Sequence, residues 1–471
     1  MNAVIKPHRF TGTFRVPASK SHTIRRLLIA ALADDVSEID YPLDSLDARS
    51  CVAVCRAFGA EITEHRAAGS TGTQCANPPD ECGEKLVRYT VKGIGFGSDA
   101  GSGKLKIPER PIDVGNSGTT LFLTLAAAAL GSSPIEFDGD EQIRRRSAAP
   151  LLEALTGLGI RVESKNGNGC APIIIQGPWK GGRVSLACPT SQYLSAILLA
   201  APLAPAGVIT EIDVPLLNER PYIEMTLSYL DAQGIHYETN SAFSRFRISG
   251  GASYKGTSGP VPGDFSSAAF PGSAAIIGGG PVTLLGLDPD DPQGDKAIFD
   301  MLQKMGAGIK WEKVKNTSAG SAGSTGPEWR LTVSRSGPLK GGEFDLNDTP
   351  DLLPIMAVLG SYAEGTTALV NVAHARIKET DRIAVMASVL GKLGANIEER
   401  PDGIIIHGNS NTALHGGVMD GHGDHRVVMA LAAAALGAAG PVKITGAESA
   451  AVTYPGFLEL LNAEMKQEWM Q

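Results

Sequence analysis

The sequence predicts an α/β protein of two or more domains, built from six repeats of a helix–strand unit. First, 471 residues exceed what one ordinary hydrophobic core accommodates. Second, a short polar segment leads six times into a helix-forming run rich in Ala, Leu and Ile. Third, about forty residues after each of the first five starts, a Gly is followed by an alternating strand pattern.

Each of the six predicted helices begins at a polar segment and ends near Gly or Pro, as helices commonly do. The starts lie near Lys20, Gly118, Ser191, Asp264, Asp351 and His425. Because these runs consist of small and apolar residues, we expect them to be buried on most sides. Six such repeats are compatible with a solenoid, a ring or two clusters of three.

Five strand patterns follow a Gly that ends the preceding helix. These glycines are Gly59, Gly159, Gly234, Gly306 and Gly394. A sixth would fall close to the end of the chain. Two repeats are longer than the others because they contain segments rich in Gly, Ser and Thr, at 65–110 and 315–329. These two segments are predicted to be surface insertions or loops.

Composition excludes several classes of function. The net charge of −8 and a pI near 5.7 provide no field that would attract nucleic acid. The six cysteines follow no framework or metal-binding spacing, so ordinary thiols are expected. No apolar run reaches the ~18 residues of a membrane span, and the start of the chain lacks the pattern of a signal peptide. We therefore expect a cytoplasmic protein.

Five of the six helix starts carry groups suited to anion binding or acid/base chemistry. Lys20 and Ser21 precede Arg25 by about one helical turn, and the Gly-rich turn 115–119 precedes a helix whose free N–H groups favour anions. The remaining candidates are Arg144–Arg146, Thr190–Gln192, Asp351, Lys378–Arg382 and Asp424–Arg426. Because equivalent positions of a repeat tend to converge in space, their recurrence favours one charged site.

Taken singly, each candidate also has a simpler interpretation. Thr190 and Asp351 could be helix caps, and Lys378–Arg382 could be a solvated helix face. Arg144–Arg146 could be ordinary surface charge. The short cluster His422–His425 could suggest a metal site, but it lacks partner ligands, and no metal is predicted.

Eight motifs, in family order and over nearly the whole chain, resemble the enolpyruvyl transferase family of EPSP synthases, the 3-phosphoshikimate 1-carboxyvinyltransferases. They are PASKSxxxR (17–25), GNSGT (115–119), SQYLSAILLAAPLA (191–204), RPYIEMTL (220–227), PGDFSSAAF (262–270), NDTPD (347–351), RIKETDR (376–382) and DHRVVMA (424–430). The most specific is KETDR with an Asp 27 residues before its Lys.

The resemblance implies a two-domain, inside-out α/β barrel-like fold, in which each domain has three repeats around buried parallel helices. One domain would comprise residues 1–18 and 262–471 and the other residues 19–261, with the active site in the cleft between them. The N-terminal strands would then complete the last domain.

The resemblance also implies a reaction, in which the enolpyruvyl group of phosphoenolpyruvate passes to the 5-hydroxyl of shikimate 3-phosphate and phosphate is released. It implies no cofactor, no metal, no nucleic acid or membrane partner, and a monomer. Asp351 would accept the hydroxyl proton, Glu379 would protonate the methylene carbon, and Lys20 would contact both substrates. The other substrate-binding residues would be Ser21, Arg25, Asn116, Gly118, Arg146, Thr190, Ser191, Gln192, Lys378, Arg382 and Arg426.

The chain departs from the family pattern at three positions. Phe122 stands where an Arg is usual, Glu219 where a Ser near the shikimate phosphate is usual, and Val452 where a Lys is common. Two cations are lost and one anion is gained beside expected phosphate sites. Two alternatives therefore stay open: enolpyruvyl transfer to another hydroxyl, such as that of a UDP-sugar, and a non-catalytic anion-binding paralogue.

Overall fold

The computed structural model describes residues 1–68, 84–96, 105–314, 328–408, 413–462 and 464–466. Cys75, Cys82 and most of the second predicted insertion, 315–327, lie outside the described residues. The chain divides into two compact units. The terminal unit comprises Met1–Ser19 and the described residues from Pro262 onward, and the central unit comprises Lys20–Ala67 and the described residues of Glu84–Val261.

The described residues contain α-helices of 4 to 13 residues. They are α1 Lys20–Leu32, α2 Leu46–Phe58, α3 Gly118–Ala128, α4 Ala149–Gly157, α5 Gln192–Ala200, α6 Arg220–Ala232, α7 Phe265–Ile277, α8 Ala297–Lys304, α9 Leu353–Ser361, α10 Arg382–Lys392, α11 His425–Ala435 and α12 Phe457–Leu460. Short 3-10 segments are Ile143–Arg145, Ala201–Leu203, Gly294–Lys296, Pro350–Leu352, Ala373–Ile377 and Ala447–Val452. The six predicted helices correspond to α1, α3, α5, α7, α9 and α11, and the prediction of their starts is confirmed.

The strands are short. They are β1 Asn2–Ile5, β2 Gly12–Arg15, β3 Val36–Asp40, β4 Glu61–Ala68, β5 Glu84–Lys92, β6 Ile112–Asp113, β7 Ile135–Asp138, β8 Arg161–Ser164, β9 Ile173–Gln176, β10 Gly182–Ser185, β11 Ile209–Asp213, β12 Tyr237–Thr239, β13 Arg245–Ser249, β14 Ser258–Pro260, β15 Val282–Leu285, β16 Gly308–Val314, β17 Glu328–Ser334, β18 Glu343–Asp345, β19 Gly365–Val370, β20 Asn396–Arg400, β21 Gly403–Gly408, β22 Gly417–Asp420, β23 Val442–Thr445 and β24 Glu464–Lys466.

Within the described residues these strands form six four-stranded sheets, three in each unit. All six share one arrangement, in which an edge strand pairs in parallel with its neighbour and the next strand is antiparallel to that neighbour. In the sheet β10-β11-β13-β12, for example, Val184 of β10 and Phe246 of β13 both pair with Ile212 of β11. The predicted sixfold repeat is therefore confirmed at the level of topology.

The N-terminal strands complete sheets of the terminal unit. β1 lies between β23 and β24 and pairs antiparallel with both, so that Ala3 is opposite Ile444. β2 pairs in parallel with β15, where Phe14 is opposite Leu284. The incomplete sixth repeat thus obtains one strand from the start of the chain.

Each unit has a core in which the helices of the repeats pack on one another. In the terminal unit, α7, α9 and α11 contact each other, and every residue of these three helices is buried. In the central unit, α3 contacts both α1 and α5. The sheets bury alternate residues, as Phe344 in β18 illustrates between exposed neighbours. The expectation of helices buried on most sides is confirmed.

Left-handed glycines end the second helix of a repeat. Gly59 and Gly394, for example, have φ values of 111° and 92°, a region that favours residues without a Cβ. The prediction of a loop or insertion over 65–110 is wrong in part. Residues 65–68 belong to β4, and β5 spans Glu84–Lys92. The alternation of Tyr89 and Val91 places buried residues on one face of the sheet and explains why this part is strand.

Candidate active site

A buried guanidinium group, that of Arg382, lies at the centre of the charged residues in the terminal unit. Its Nη1 donates a hydrogen bond to Oδ1 of Asp351 at 2.7 Å, and its Nη2 donates to Oε2 of Glu379 at 2.5 Å. Its Nε and Nη2 also donate to the two carboxylate oxygens of Asp424, at 2.7 and 3.2 Å. One arginine therefore holds three carboxylates. We call this group, together with Lys378 and Arg426, the Arg382 cluster.

Asp424 connects two helix starts within this cluster. As the N-cap of α11 it accepts a hydrogen bond from the backbone N–H of Arg426 at 2.9 Å, and the hydroxyl of Thr380 donates to it at 3.2 Å. The side chain of Arg426 reaches Oδ2 of Asp351 at 2.8 Å. Each oxygen of Asp351 is thus held by a different guanidinium group.

The cluster keeps the carboxylates of Asp351 and Asp424 ionised. Burial disfavours the charged form of Asp351, but the positive charges of Arg426, Lys378 and Arg382 outweigh burial and hold its pKa well below the ordinary value. The pKa of Asp424 is lowered for a similar reason, since Arg382 outweighs the effect of burial. Asp351 is therefore ready to accept a proton but is a weak base while these cations face it.

The simpler interpretations of this region are wrong. Lys378–Arg382 is not a solvated helix face, because Arg382 is completely buried and α10 begins only at that residue. Asp381 caps α10 by accepting a hydrogen bond from the backbone N–H of Ala384 at 3.0 Å. Asp351 lies in the 3-10 segment Pro350–Leu352 and pairs with two arginines, so it is more than a cap.

A fourth carboxyl group, that of Asp295, lies in electrostatic contact with Asp351 and was not predicted from the sequence. It belongs to the 3-10 segment Gly294–Lys296, which packs against α7, and accepts a hydrogen bond from the hydroxyl of Ser266. Burial and the negative charge of Asp351 raise its pKa to about 7. The only signal in the sequence is an Asp after Gly, which is too common to single out.

In the central unit, Lys20 begins α1 and forms an ion pair with a residue that was not predicted. Its Nζ lies 2.9 Å from Oδ2 of Asp47, in the first turn of α2. The side chains are 14% and 5% exposed, so the pair is largely removed from solvent. Nothing in the sequence links the start of α2 to that of α1, and only the fold brings them together.

Arg25, one turn further along α1, is surrounded by neutral acceptors. Its Nε donates to Oγ1 of Thr226 at 2.9 Å, and its Nη2 donates to Oγ of Ser195 and the backbone oxygen of Tyr222, each at 3.3 Å. Its Nη1 donates to the backbone oxygen of Ser21 at 3.2 Å. Burial lowers the pKa of Arg25 to about 10, so the group is cationic at neutral pH.

Gly118, the first residue of α3, lies against the guanidinium group of Arg146. A Cβ atom at this position would come within 2.5 Å of that group, so a larger residue would require the Arg146 side chain to move. Arg146 also lies 5.9 Å from the ring centre of Phe122, which occupies the position of the missing arginine. Asn116 donates to Oδ2 of Asp140 at 2.7 Å. This helix start therefore retains one cation where two were expected.

The neighbours of Arg146 behave differently. Arg144 and Arg145 form partly exposed ion pairs with Asp138 at 2.6 Å and Glu141 at 3.0 Å. For these two residues the interpretation as surface charge is correct. Arg146, which lies over Gly118, is the only one of the three placed at a helix start.

Thr190 and Ser191 surround the carboxylate of Glu219. Oε2 of Glu219 accepts hydrogen bonds from the hydroxyls of Thr190 and Ser191 and from the backbone N–H of Ser191, each at 3.0 Å. Gln192, the first residue of α5, has a buried Oε1 with no hydrogen-bond partner among the described residues. The hydroxyls predicted to bind a ligand are thus occupied by a carboxylate of the chain itself.

The predicted site residues therefore fall into separate groups within the two units. Asp351, Lys378, Glu379, Arg382 and Arg426 meet in the terminal unit. The others lie in the central unit: Lys20, Ser21, Arg25, Asn116, Gly118, Arg146, Thr190, Ser191 and Gln192. Val452, the third departure, ends the 3-10 segment Ala447–Val452, which packs against α11.

The described part of the chain contains no group of three His, Cys, Asp or Glu side chains that could hold a metal ion. His425 lies with its Nδ1 3.9 Å from Asp424, whose carboxylate is already engaged by Arg382. Among the helices of the described residues, none combines the length and apolarity that crossing a membrane requires.

The model of one protein family, described as "EPSP synthase (3-phosphoshikimate 1-carboxyvinyltransferase)", matches residues 4–90 and 96–461. A 3-phosphoshikimate 1-carboxyvinyltransferase of Acetivibrio thermocellus is 44% identical over 458 residues, which are 97% of each chain. One of Halobacterium salinarum is 40% identical over 467 residues, or 98% of each chain.

Solved structures resemble this chain as well. A 2.37 Å structure of EPSP synthase from Acinetobacter baumannii is similar to this chain, with a TM-score of 0.76 and 27% sequence identity. The similarity covers 99% of this chain and 100% of the other.

Proposed function

Since this chain belongs to the EPSP synthase (3-phosphoshikimate 1-carboxyvinyltransferase) family, we propose that it transfers the enolpyruvyl group of phosphoenolpyruvate to the 5-hydroxyl of shikimate 3-phosphate. Phosphate is released, and the product serves aromatic amino acid biosynthesis. The observation that carries the proposal is the Arg382 cluster, in which an ionised Asp351 lies between two guanidinium groups. The family motif KETDR supplies the centre of this cluster.

The reaction is an addition followed by an elimination. The 5-hydroxyl oxygen bonds to the central carbon of phosphoenolpyruvate, Asp351 takes the hydroxyl proton, and Glu379 gives a proton to the methylene carbon. The tetrahedral intermediate then loses phosphate, which takes the proton from Asp351, while the new methyl group returns one proton to Glu379. Atoms and protons balance, and no redox step occurs.

The cations of both units bind the anionic groups of the substrates. Arg382 and Arg426 bind the anionic groups of phosphoenolpyruvate, together with Gly118, Arg146 and Gln192. Shikimate 3-phosphate is bound by Lys20, Ser21, Arg25, Thr190, Ser191 and Lys378, and Lys20 contacts both substrates. Charge-assisted hydrogen bonds of this kind are among the strongest in proteins.

Substrate binding also activates Asp351. The positive charges of Arg426, Lys378 and Arg382 hold its pKa down. A bound phosphate or carboxylate competes for these cations, which reduces their effect on Asp351 and raises its pKa. Asp351 is therefore a stronger base when the substrates are in place. The residues assigned to substrate binding and catalysis come from both proposed domains, one of residues 1–18 and 262–471 and the other of residues 19–261.

Neither alternative is favoured. The relatives carry the name 3-phosphoshikimate 1-carboxyvinyltransferase, which does not support a UDP-sugar as acceptor. The chain retains Lys20, Asp351, Glu379 and Arg382, the charged residues of the family motifs, which argues against a non-catalytic paralogue.

The test is release of phosphate from phosphoenolpyruvate in the presence of shikimate 3-phosphate. Parallel reactions contain UDP-N-acetylglucosamine or no acceptor, which measures background hydrolysis. We expect release that depends on shikimate 3-phosphate. The proposal would be overturned if phosphate is released only with the UDP-sugar, or if neither acceptor increases release above the background.

We also propose that the enzyme acts in the cytoplasm as a monomer. The cysteines of the described residues, Cys51, Cys55, Cys170 and Cys188, are free thiols, which are typical of reducing compartments. All residues assigned to the reaction belong to one chain, so no second copy is needed. Analytical ultracentrifugation measures the oligomeric state, and a stable dimer would contradict this part of the proposal.

A further inference from the structure

The carboxylate of Glu219 occupies a set of donors that is suited to an anionic ligand. Three donors converge on its Oε2, namely the hydroxyls of Thr190 and Ser191 and the backbone N–H of Ser191, each at 3.0 Å. Glu219 is 3% exposed, so these donors are shielded from water. Converging N–H and O–H groups of this kind at a helix start are the elements of an oxyanion site.

The backbone of Glu219 is held in an unusual conformation to place this carboxylate. Its φ is 58°, in the left-handed region that non-glycine residues rarely adopt. Although Glu219 is the N-cap residue of α6, its side chain makes no capping hydrogen bond to that helix. The side chain instead reaches the start of α5 and accepts the hydrogen bonds of Thr190 and Ser191. The unusual backbone conformation is therefore associated with these contacts and not with capping of α6.

The charge of Glu219 acts on the same residues that are proposed to bind the acceptor. Its negative charge favours the cationic form of Arg25, which donates hydrogen bonds to the neutral hydroxyls of Thr226 and Ser195. It also acts on the phenol of Tyr193. Glu219 thus supplies a negative charge to a group of donors in the central unit that is suited to an anionic ligand.

We propose that Glu219 determines acceptor specificity by taking the place of a phosphate oxygen. The phosphate of an acceptor and the carboxylate of Glu219 cannot hold the same three donors, so the phosphate must displace the carboxylate on binding. Affinity for the phosphate group is lowered by that displacement and by repulsion between two anions. This inference rests on the proposed function, because it places the phosphate of shikimate 3-phosphate at Thr190 and Ser191.

The test compares binding of shikimate 3-phosphate and of shikimate, which lacks the phosphate, by isothermal titration calorimetry. The variants are Glu219→Ser, which removes the carboxylate, and Glu219→Gln, which removes the charge but keeps an acceptor. We expect Glu219→Ser to bind shikimate 3-phosphate at least about tenfold more tightly than the parent. Glu219→Gln should gain less, and the affinity for shikimate should stay within about twofold in both.

Glu224→Gln is the matched control. Glu224 lies on α6 beside Arg220 at 3.1 Å, and its side chain is 45% exposed. The Glu224→Gln variant loses the same charge within two turns of Glu219, but the contacts of Thr190 and Ser191 are unchanged. It should therefore bind both ligands with the affinity of the parent. Circular dichroism and thermal melting establish that each variant is folded.

A folded Glu219→Ser protein with no gain for shikimate 3-phosphate would overturn the inference, because Glu219 would then only stabilise the start of α5. If the parent turns over shikimate 3-phosphate while this variant gains nothing, the proposed function stands and only the inference fails. If no variant binds shikimate 3-phosphate, the proposed function fails. Titration with inorganic phosphate then decides the inference, since a gain in Glu219→Ser supports it and no gain contradicts it.

Discussion

The Nη1 atom of Arg382 donates a hydrogen bond of 2.7 Å to Asp351, and this contact links the most buried cation of the cluster to the proposed base. The side chain of Arg382 is 1% exposed, whereas that of Asp351 is 22% exposed. The carboxylate therefore lies between a buried partner that fixes it and a side from which a ligand can approach. Predictions about catalysis and about stability both follow from this pair.

Asp351→Asn should keep the fold and lower turnover by about 100-fold or more, because a positioned general base is lost while an acceptor for Arg382 remains. The measurement is steady-state phosphate release at saturating substrates. Asp300→Asn, at an exposed position of α8 in the same unit, is the control and should match the parent. Turnover close to that of the parent in Asp351→Asn would exclude a catalytic role for this residue.

Arg382→Met should lower the free energy of unfolding by about 3–5 kcal/mol, because the buried carboxylate of Asp424 and the half-buried carboxylates of Asp351 and Glu379 lose their shared cation. The measurement is equilibrium unfolding in urea at neutral pH. Arg382→Lys keeps the charge but cannot form the fork of hydrogen bonds, so its loss should be smaller. Arg400→Lys is the control. Its pair with Glu398 is about half exposed, so the change should cost less than about 1 kcal/mol.

A loss of less than about 1 kcal/mol in Arg382→Met would show that the three carboxylates are stabilised mainly by other groups. The Arg382 cluster would then contribute little to the packing of α10 against α11.

The sequence predicts the repeat because its signals are local. A polar start, a run of small apolar residues and a Gly with positive φ are each properties of a few neighbouring residues, as at Gly118 and Gly394. The strand pairing is not local. The partner of Ala3 is Ile444, and no property of either residue identifies the other. The implied completion of the last sheet came from the family resemblance rather than from the pattern itself.

The residues of the candidate site could be predicted from the sequence where they belong to motifs, but not where their contacts depend on the fold. Arg382, Asp351 and Arg426 were identified from motifs, and the structure places them in direct contact. Asp47 was missed, because its pairing with Lys20 depends on how α2 packs against α1. The departure at Glu219 was visible in the sequence, but its three hydrogen bonds depend on a left-handed backbone that a Glu does not predict.

Asp295 gives a prediction of pH dependence. Burial and the charge of Asp351 raise its pKa to about 7, against about 3.9 in the unfolded chain. The folded state thus binds this proton more tightly, so the contribution to stability is complete below about pH 4 and is lost as the pH rises through about 7. Asp295→Asn is neutral at every pH and should avoid this loss.

The measurement is urea unfolding of the parent and of Asp295→Asn at pH values between about 4 and 8. The stability of Asp295→Asn relative to the parent should increase from about pH 4 to about pH 7 and stay constant above it. Asp300→Asn again serves as the control and should show no such trend. A constant difference across this range would mean that Asp295 is ionised in the folded protein throughout.

Val452→Lys should lower the Michaelis constant for phosphoenolpyruvate. Val452 is half-buried at the end of the 3-10 segment Ala447–Val452, which packs against α11, the helix that carries Arg426. A lysine here would add a charge-assisted hydrogen bond to the anionic substrate, which is worth about 1.5–3 kcal/mol or roughly 10- to 150-fold. The constant for shikimate 3-phosphate should change less, and inhibitors that mimic phosphoenolpyruvate, such as glyphosate, should gain potency.

Ala451→Lys adds the same charge at the exposed preceding residue and should leave both constants nearly unchanged. If Val452→Lys and Ala451→Lys behave alike, position 452 does not face phosphoenolpyruvate, and another group supplies the missing cation.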